Sequence, residues 1–305
     1  MEKTKSLNVY DGQLLFWNHD GKEYCLHVER EQHIDDPRKD ADPITIMACF
    51  DSRHPIGDDV GFKDPGEFMQ DLVKQHGDRP ATAKRIREMA MPSYALKAIA
   101  SEVYINETVG IPVEKLSSAD LSDDDLFQAF LDAVQDTRLS DVAIESIRDQ
   151  VAVLPIWIYD HSGITISCGA RTYPYNDQWD SGQVGWIAAT RDTIVESLQC
   201  QPHEWRERAV ELMQADVRTY DMYLTGDVYW YRLLSRPIVE NPDEDSSDED
   251  WEEEDSCGGF YDSDVLANGM LESAGNGAEN AVASGEYKTG QAEAVRHVTY
   301  TLRKD

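Results

Sequence analysis

The run Val151-Ala152-Val153-Leu154-Pro155-Ile156-Trp157-Ile158-Tyr159 decides the fold. It is apolar almost throughout and rich in β-branched and aromatic residues, so it reads as a strand. The lack of polar alternation predicts burial on both faces, at the centre of the main sheet. Ile164-Thr165-Ile166 and Val184-Gly185-Trp186-Ile187-Ala188 read as its neighbours. A helix from Pro202 to Tyr220, with Trp205, Ala209, Leu212, Met213, Val217 and Tyr220 on one face, is expected to pack on that sheet. Tyr223 to Tyr231 reads as one more strand or hairpin.

Upstream, Leu14 to Trp17, Tyr24 to Val28 and Ile44 to Phe50 are short β-prone runs separated by turn formers such as Asp20 and Gly21, which predicts a meander at one sheet edge. Asp64-Pro65-Gly66-Glu67 reads as a capped helix start, ended by Gly77. From Ala81 to Gln150 the pattern is helical. Ser122 caps three carboxylates, and Leu126, Phe127, Phe130, Leu131 and Val134 follow at helical spacing; Ser140 or Asp141 caps another short helix. Downstream come an acidic run, a Gly/Ala/Asn-rich stretch expected to be mobile, and a last strand expected between Val295 and Leu302.

The fold class expected is therefore α+β. Residues 1–80 form a β-rich N-terminal region, 81–150 a helical region and 151–236 a core of mixed sheet with a packed helix. Residues 237–256 are an acidic linker and 257–305 a C-terminal segment.

The 305 residues carry 59 acids against 28 bases, a net charge of −31. The run from Glu240 to Asp255 holds 11 acids and no base, and without it −31 becomes −20, so the body is acidic too. Such a surface repels phosphate backbones, and direct nucleic-acid binding is not expected. The acidity reads as a solubility device, as attraction to a basic partner, or as mimicry of DNA. Five cysteines without a C-x-x-C pair predict no disulfide framework and fit a reducing cytoplasm. No apolar leader opens the chain and no window is long and apolar enough for a membrane span, so neither secretion nor a membrane is expected.

The densest polar constellation is Tyr159-Asp160-His161-Ser162-Gly163 with Trp179-Asp180-Ser181-Gly182-Gln183, both at strand ends, where sites are commonly built. Asp160, His161 and Asp180 have the types needed for a base with its orienter or for a divalent metal, with Ser162 or Cys168 as nucleophile. The same residues are also good turn chemistry, which is their commoner role, and no hydrolase, zincin or phosphate-loop signature accompanies them. Cys25, His27, Cys49 and His54 have the types of a zinc site at irregular spacing; core cysteine is the commoner reading. No cofactor or metal is expected. If the protein acts by contact, Trp179, Asp180, Tyr223, Tyr229 and Trp251 are the expected binding residues, Trp251 because a lone indole among carboxylates needs a surface.

Four segments carry a resemblance: Tyr159 to Thr165, Trp179 to Trp186, Thr219-Tyr220-Asp221-x-Tyr223-Leu224-Thr225-Gly226-Asp227-Val228-Tyr229, and Asp255-Ser256-Cys257-x-Gly259-Phe260-Tyr261. Together they resemble a family of proteins carried by bacteriophages, plasmids and related mobile elements, over roughly residues 22 to 265. His54-Pro55-Ile56-Gly57-Asp58 and Phe62 to Phe68 resemble its N-terminal part, where an Arg-Tyr-x-Leu-Gly-Asp pattern is usual; Arg53-His54-Pro55 departs from it. The resemblance implies a phage accessory protein acting in the host cytoplasm, one that binds and inhibits a bacterial anti-phage defence complex; the acidity of the chain adds that the complex presents a basic surface. A nuclease-containing system such as Gabija is one such target. The alternatives are a small hydrolase or nucleotide-modifying enzyme using Asp160, His161 and Asp180, and a DNA mimic. Homo-oligomerisation is compatible with all three.

Overall fold

The computed structural model describes residues 6–40, 43–89, 93–106, 121–169, 177, 179–238 and 251–291. In chain order its elements are β1 (Gln13–His19), β2 (Lys22–Arg30), α1 (Pro37–Asp40), β3 (Ile46–Cys49), α2 (Pro65–His76), α3 (Arg79–Glu88), α4 (Ser93–Asn106) and α5 (Asp123–Ala133). A 3-10 turn, Thr137–Leu139, leads into α6 (Ser140–Ser146), β4 (Val151–Asp160), β5 (Ile164–Cys168), β6 (Ser181–Thr190), α7 (Arg191–Leu198) and α8 (Trp205–Thr225). The chain continues with β7 (Val228–Pro237), β8 (Glu252–Tyr261), α9 (Met270–Ala274), α10 (Ala278–Ser284) and β9 (Lys288–Gln291). The fold is α+β, as the sequence predicts. No helix among the described residues is long and apolar enough to cross a membrane.

The chain divides into two compact units, Met1–Pro37 with Thr219–Asp305, and Arg38–Arg218. These divisions cut across the expected regions. The N-terminal strands do not form one meander: β1 and β2 belong to a five-stranded sheet, β8-β7-β2-β1-β9, and β3 to a four-stranded sheet, β3-β6-β4-β5. Among the described residues every strand pairing is antiparallel, so the core sheet expected to be mixed is antiparallel.

In the first unit, β1 and β2 join through Asp20 and Gly21, at φ 45° and 78°, the two positive angles of a tight hairpin turn. One face of the sheet, through Leu15, Trp17, Leu26 and Tyr231, packs on Met270, Leu271, Ala278 and Val282 of α9 and α10. The Gly/Ala/Asn stretch expected to be mobile is thus ordered. Its small residues allow close packing, and the Trp17 indole N–H donates to the Asn276 carbonyl at 2.8 Å. The acidic run, expected to be a linker, is a strand at its end. Glu252 to Asp255 open β8, where Glu254 meets Lys22 at 2.7 Å and Asp255 accepts from the Tyr231 hydroxyl at 2.7 Å. The rest of that run, residues 240–250, and the strand expected between Val295 and Leu302 lie outside the described residues.

In the second unit, α2 to α6 cover part of one sheet face. Phe68, Met69, Ile99, Phe127, Phe130 and Ile147 are buried against Ala48, Val151, Trp186 and Ala188. Each such side chain contributes about 1.5–3 kcal/mol. The caps match the sequence: Asp64 accepts the N–H groups of Gly66 and Glu67, and Ser122 that of Asp125. Ser140 does not cap α6; its hydroxyl donates back to the Thr137 carbonyl at 2.8 Å. Gly77 ends α2 at an ordinary φ of −74° and is required for space, since a Cβ there would meet the Val73 carbonyl at 2.4 Å.

β4 is an interior strand beside β6, as expected. Its burial on both faces is not general. Ile156 and Ile158 are buried, but Val153, Leu154, Pro155 and Trp157 are only half-buried. The helical layer covers the beginning of β4 and stops short of Trp157.

Candidate functional site

The polar turns meet at one end of the four-stranded sheet. The hairpin Asp160–Ile164 leaves β4 there, with Ser162 in the left-handed region at φ 61°, and Asp180 enters β6 beside it. The Asp160 N–H donates to the Asp180 carbonyl at 2.7 Å, and the His161 N–H to the Gly163 carbonyl at 3.1 Å. Asp177 organises the approach to β6: its carboxylate accepts the Trp179 N–H at 2.8 Å, and its carbonyl accepts the Ser181 hydroxyl.

The side chains form two separate pairs. His161 Nδ1 donates to Asp180 Oδ2 at 2.9 Å, and its ring stacks on Tyr159 with centroids 5.9 Å apart. His54 Nε2 donates to Asp160 Oδ2 at 2.9 Å, and the Arg53 guanidinium lies 3.5 Å from the same oxygen. Burial would push the Asp51 carboxyl up, but the N–H and guanidinium of Arg53, with His54 behind, hold it below the usual carboxylate range. Arg53 is raised in turn, by Asp51 first and then by Asp160 and Asp180.

Asp160, His161 and Asp180 therefore do not converge on one point. Among the described residues no three His, Cys, Asp or Glu side chains are grouped to hold a metal ion. A neutral His161 held at Nδ1 keeps Nε2 as an acceptor, which is base geometry. Neither proposed nucleophile completes it. Cys168 lies at the far end of β5, its thiol pushed by burial up to about 11, and Ser162 occupies the hairpin turn itself. Trp179 stands 95% exposed next to Asp180.

The other expected binding residues are placed differently. Trp251 is buried with Leu14, Cys25 and Leu234, its ring 6.1 Å from Phe16 and under the Arg236 guanidinium at 4.5 Å. The surface it was expected to need is its own core. Tyr229 is also buried, its hydroxyl donating to Asp227 at 3.0 Å, and Tyr223 is half-buried and stacked on Tyr220. All three belong to the first unit, whereas Trp179 and Asp180 belong to the second.

The zinc reading fails on placement. Cys25 is a core residue of the first unit, its thiol pushed up by burial; Cys49 sits in β3 with its thiol pushed up to about 12, and His54 serves Asp160. All five cysteines are free. Sequence reasoning missed the Asp51–Arg53–His54 loop as the partner of Asp160. No local signal marks it, since His54 and Asp160 lie 106 residues apart. No protein-family model, curated protein or solved structure matches this chain.

Proposed function

We propose that this protein acts by protein–protein contact, through the face of the second unit that carries Trp179. The single observation behind this reading is a tryptophan 95% exposed on turns whose polar side chains are engaged with one another. Tryptophan is enriched among the anchor residues of binding interfaces. The hydrogen bonds among Asp160, His161, Asp177 and Asp180 hold these turns without requiring chemistry.

The nature of the partner is a further step. The motif resemblance favours an inhibitor of a bacterial anti-phage defence complex, working in the host cytoplasm. The charge of −31 favours a target with a basic surface, such as a nuclease-containing system of the Gabija kind. The competing reading is catalysis with His161 as base, favoured by the 2.9 Å His161–Asp180 pair. Affinity capture from phage-infected cells, followed by mass spectrometry, separates the two. A discrete defence complex retained by the wild type and lost with Trp179→Ala supports contact. Absence of any stable partner supports catalysis.

A further inference from the structure

Three adjoining grooves lie in the second unit, and Asp141 borders all of them. Two, of about 670 and 400 Å³, also share Gln183 and Trp186; the third, of about 510 Å³, extends toward Tyr94. Asp141 lies in the first turn of α6 and is exposed, and its carboxylate has no hydrogen-bond or ion-pair partner among the described residues. Its acidic neighbours are engaged: Asp51 with Arg53, and Glu145 with Arg148 at 2.8 Å. The bases Arg85 and Arg138 are tied to Asp149 and Asp136.

The middle groove is floored by Pro155, Trp157 and Trp186. A β-bulge shapes it. Gly185 faces Ile156 and Gln183 faces Trp157, which leaves Val184 as the extra residue. Gly185 is obligatory, because a Cβ there would lie 1.9 Å from the Ala48 carbonyl oxygen. Bulges of this kind re-aim side chains and are frequent beside functional sites. Here the bulge sets an exposed Gln183 opposite the half-buried Trp157.

We propose that this groove takes an arginine side chain from an extended basic segment of the partner, its guanidinium lying on the Trp157–Trp186 floor and pairing with Asp141. Indole faces attract cations, and a flat guanidinium both stacks on them and forks onto a carboxylate; a lysine ammonium is more strongly hydrated and does neither as well. The net charge of the chain disfavours an anionic occupant. The inference rests on the contact reading above and names the chemistry of the partner.

The test uses the full chain and a fluorescein-labelled eight-residue peptide of alternating Arg and Ser, with a Lys–Ser counterpart, followed by anisotropy at physiological salt. The Arg peptide binds more tightly than the Lys peptide. Asp141→Asn and Trp157→Leu each weaken it by about fivefold or more, while Glu207→Gln, an exposed acid outside the grooves, leaves it unchanged. Thermal melts run alongside, and the exposed Asp141→Asn variant, which keeps its fold, decides if Trp157→Leu does not. Equal binding of the two peptides, an equal loss in Glu207→Gln, or no binding to the wild type overturns the proposal. Capture of the cellular partner is scored separately: if it needs Trp179 while the peptide ignores Asp141, the groove assignment falls and the contact face stands.

Discussion

The backbone N–H of Asp160 donates to the carbonyl of Asp180 at 2.7 Å, so the two polar turns are joined through main chain before either side chain contributes. His161 then pairs with Asp180 through side chains, and His54 with Asp160.

This arrangement ranks the turn substitutions. The His161–Asp180 pair is largely exposed, 62% and 38%, and exposed pairs are worth below about 1 kcal/mol. The His54–Asp160 pair is more enclosed, 23% and 29%, and breaking it costs about 1–2 kcal/mol. Urea denaturation of His54→Ala and His161→Ala should show the larger loss in His54→Ala.

A heavier cost falls on Arg38. Its guanidinium meets both oxygens of Asp58 at 2.8 and 2.6 Å, Asp216 at 3.3 Å, and the hydroxyl and carbonyl of Thr45. Burial pushes this guanidinium down, but the bonds and charges of Asp58 and Asp216 outweigh it and leave it above its ordinary value. Asp58 in turn accepts the Met47 N–H at 2.7 Å, which ties the loop to β3. Arg38→Met leaves two carboxylates uncompensated and should destabilise by about 3–5 kcal/mol. In chemical denaturation, Arg138→Met, at an exposed ion pair, should change little.

Trp251 anchors the end of the acidic run in the core of the first unit. Because its indole fills the Leu14–Cys25–Leu234 cluster, Trp251→Ala should cost about 3–5 kcal/mol. Residual folded protein, assayed below its melting temperature, should still capture the partner. A normal melt with lost capture would restore Trp251 as a contact residue.

His27 makes stability pH-dependent. Its ring is buried, and Nε2 lacks a hydrogen bond, Glu29 lying 3.6 Å away. Burial lowers its pKa first, with Arg232 adding, while Glu29 and Asp11 oppose. The unfolded chain titrates near about 6.5, so below that pH it binds a proton the folded chain does not. Stability is full above about pH 6.5 and falls as pH drops toward the folded value. Melts from pH 7.5 to 5 should show this slope, and His27→Leu should flatten it.

Much of this was legible locally. The Asp64 and Ser122 caps, the Asp20–Gly21 turn and the strand from Val151 depend on neighbours in sequence, and each stands where its chemistry predicts. What was not legible depends on distant partners. Nothing near His54 announces Asp160, 106 residues away, and nothing in Trp251 announces Leu14 and Cys25. The Gly/Ala/Asn-rich stretch to Gly290 reads as mobile because small residues carry little hydrophobic signal, though those of α9 and α10 pack closely when a sheet faces them. The Trp179 turns stand out because their polar residues flank buried strands, but the partner of Asp160 comes from a loop 106 residues upstream.

Trp179→Ala and Asp180→Asn separate contact from catalysis. Both proteins are purified, their melting temperatures recorded, and each is scored for capture of the partner and for protection in a phage-plating assay. The contact account predicts that Trp179→Ala melts like the wild type yet loses capture and protection, while Asp180→Asn keeps both with a slightly lower melting temperature. An Asp180→Asn protein that melts normally but has lost all protection, beside a fully active Trp179→Ala, would contradict the account and assign the turns to catalysis.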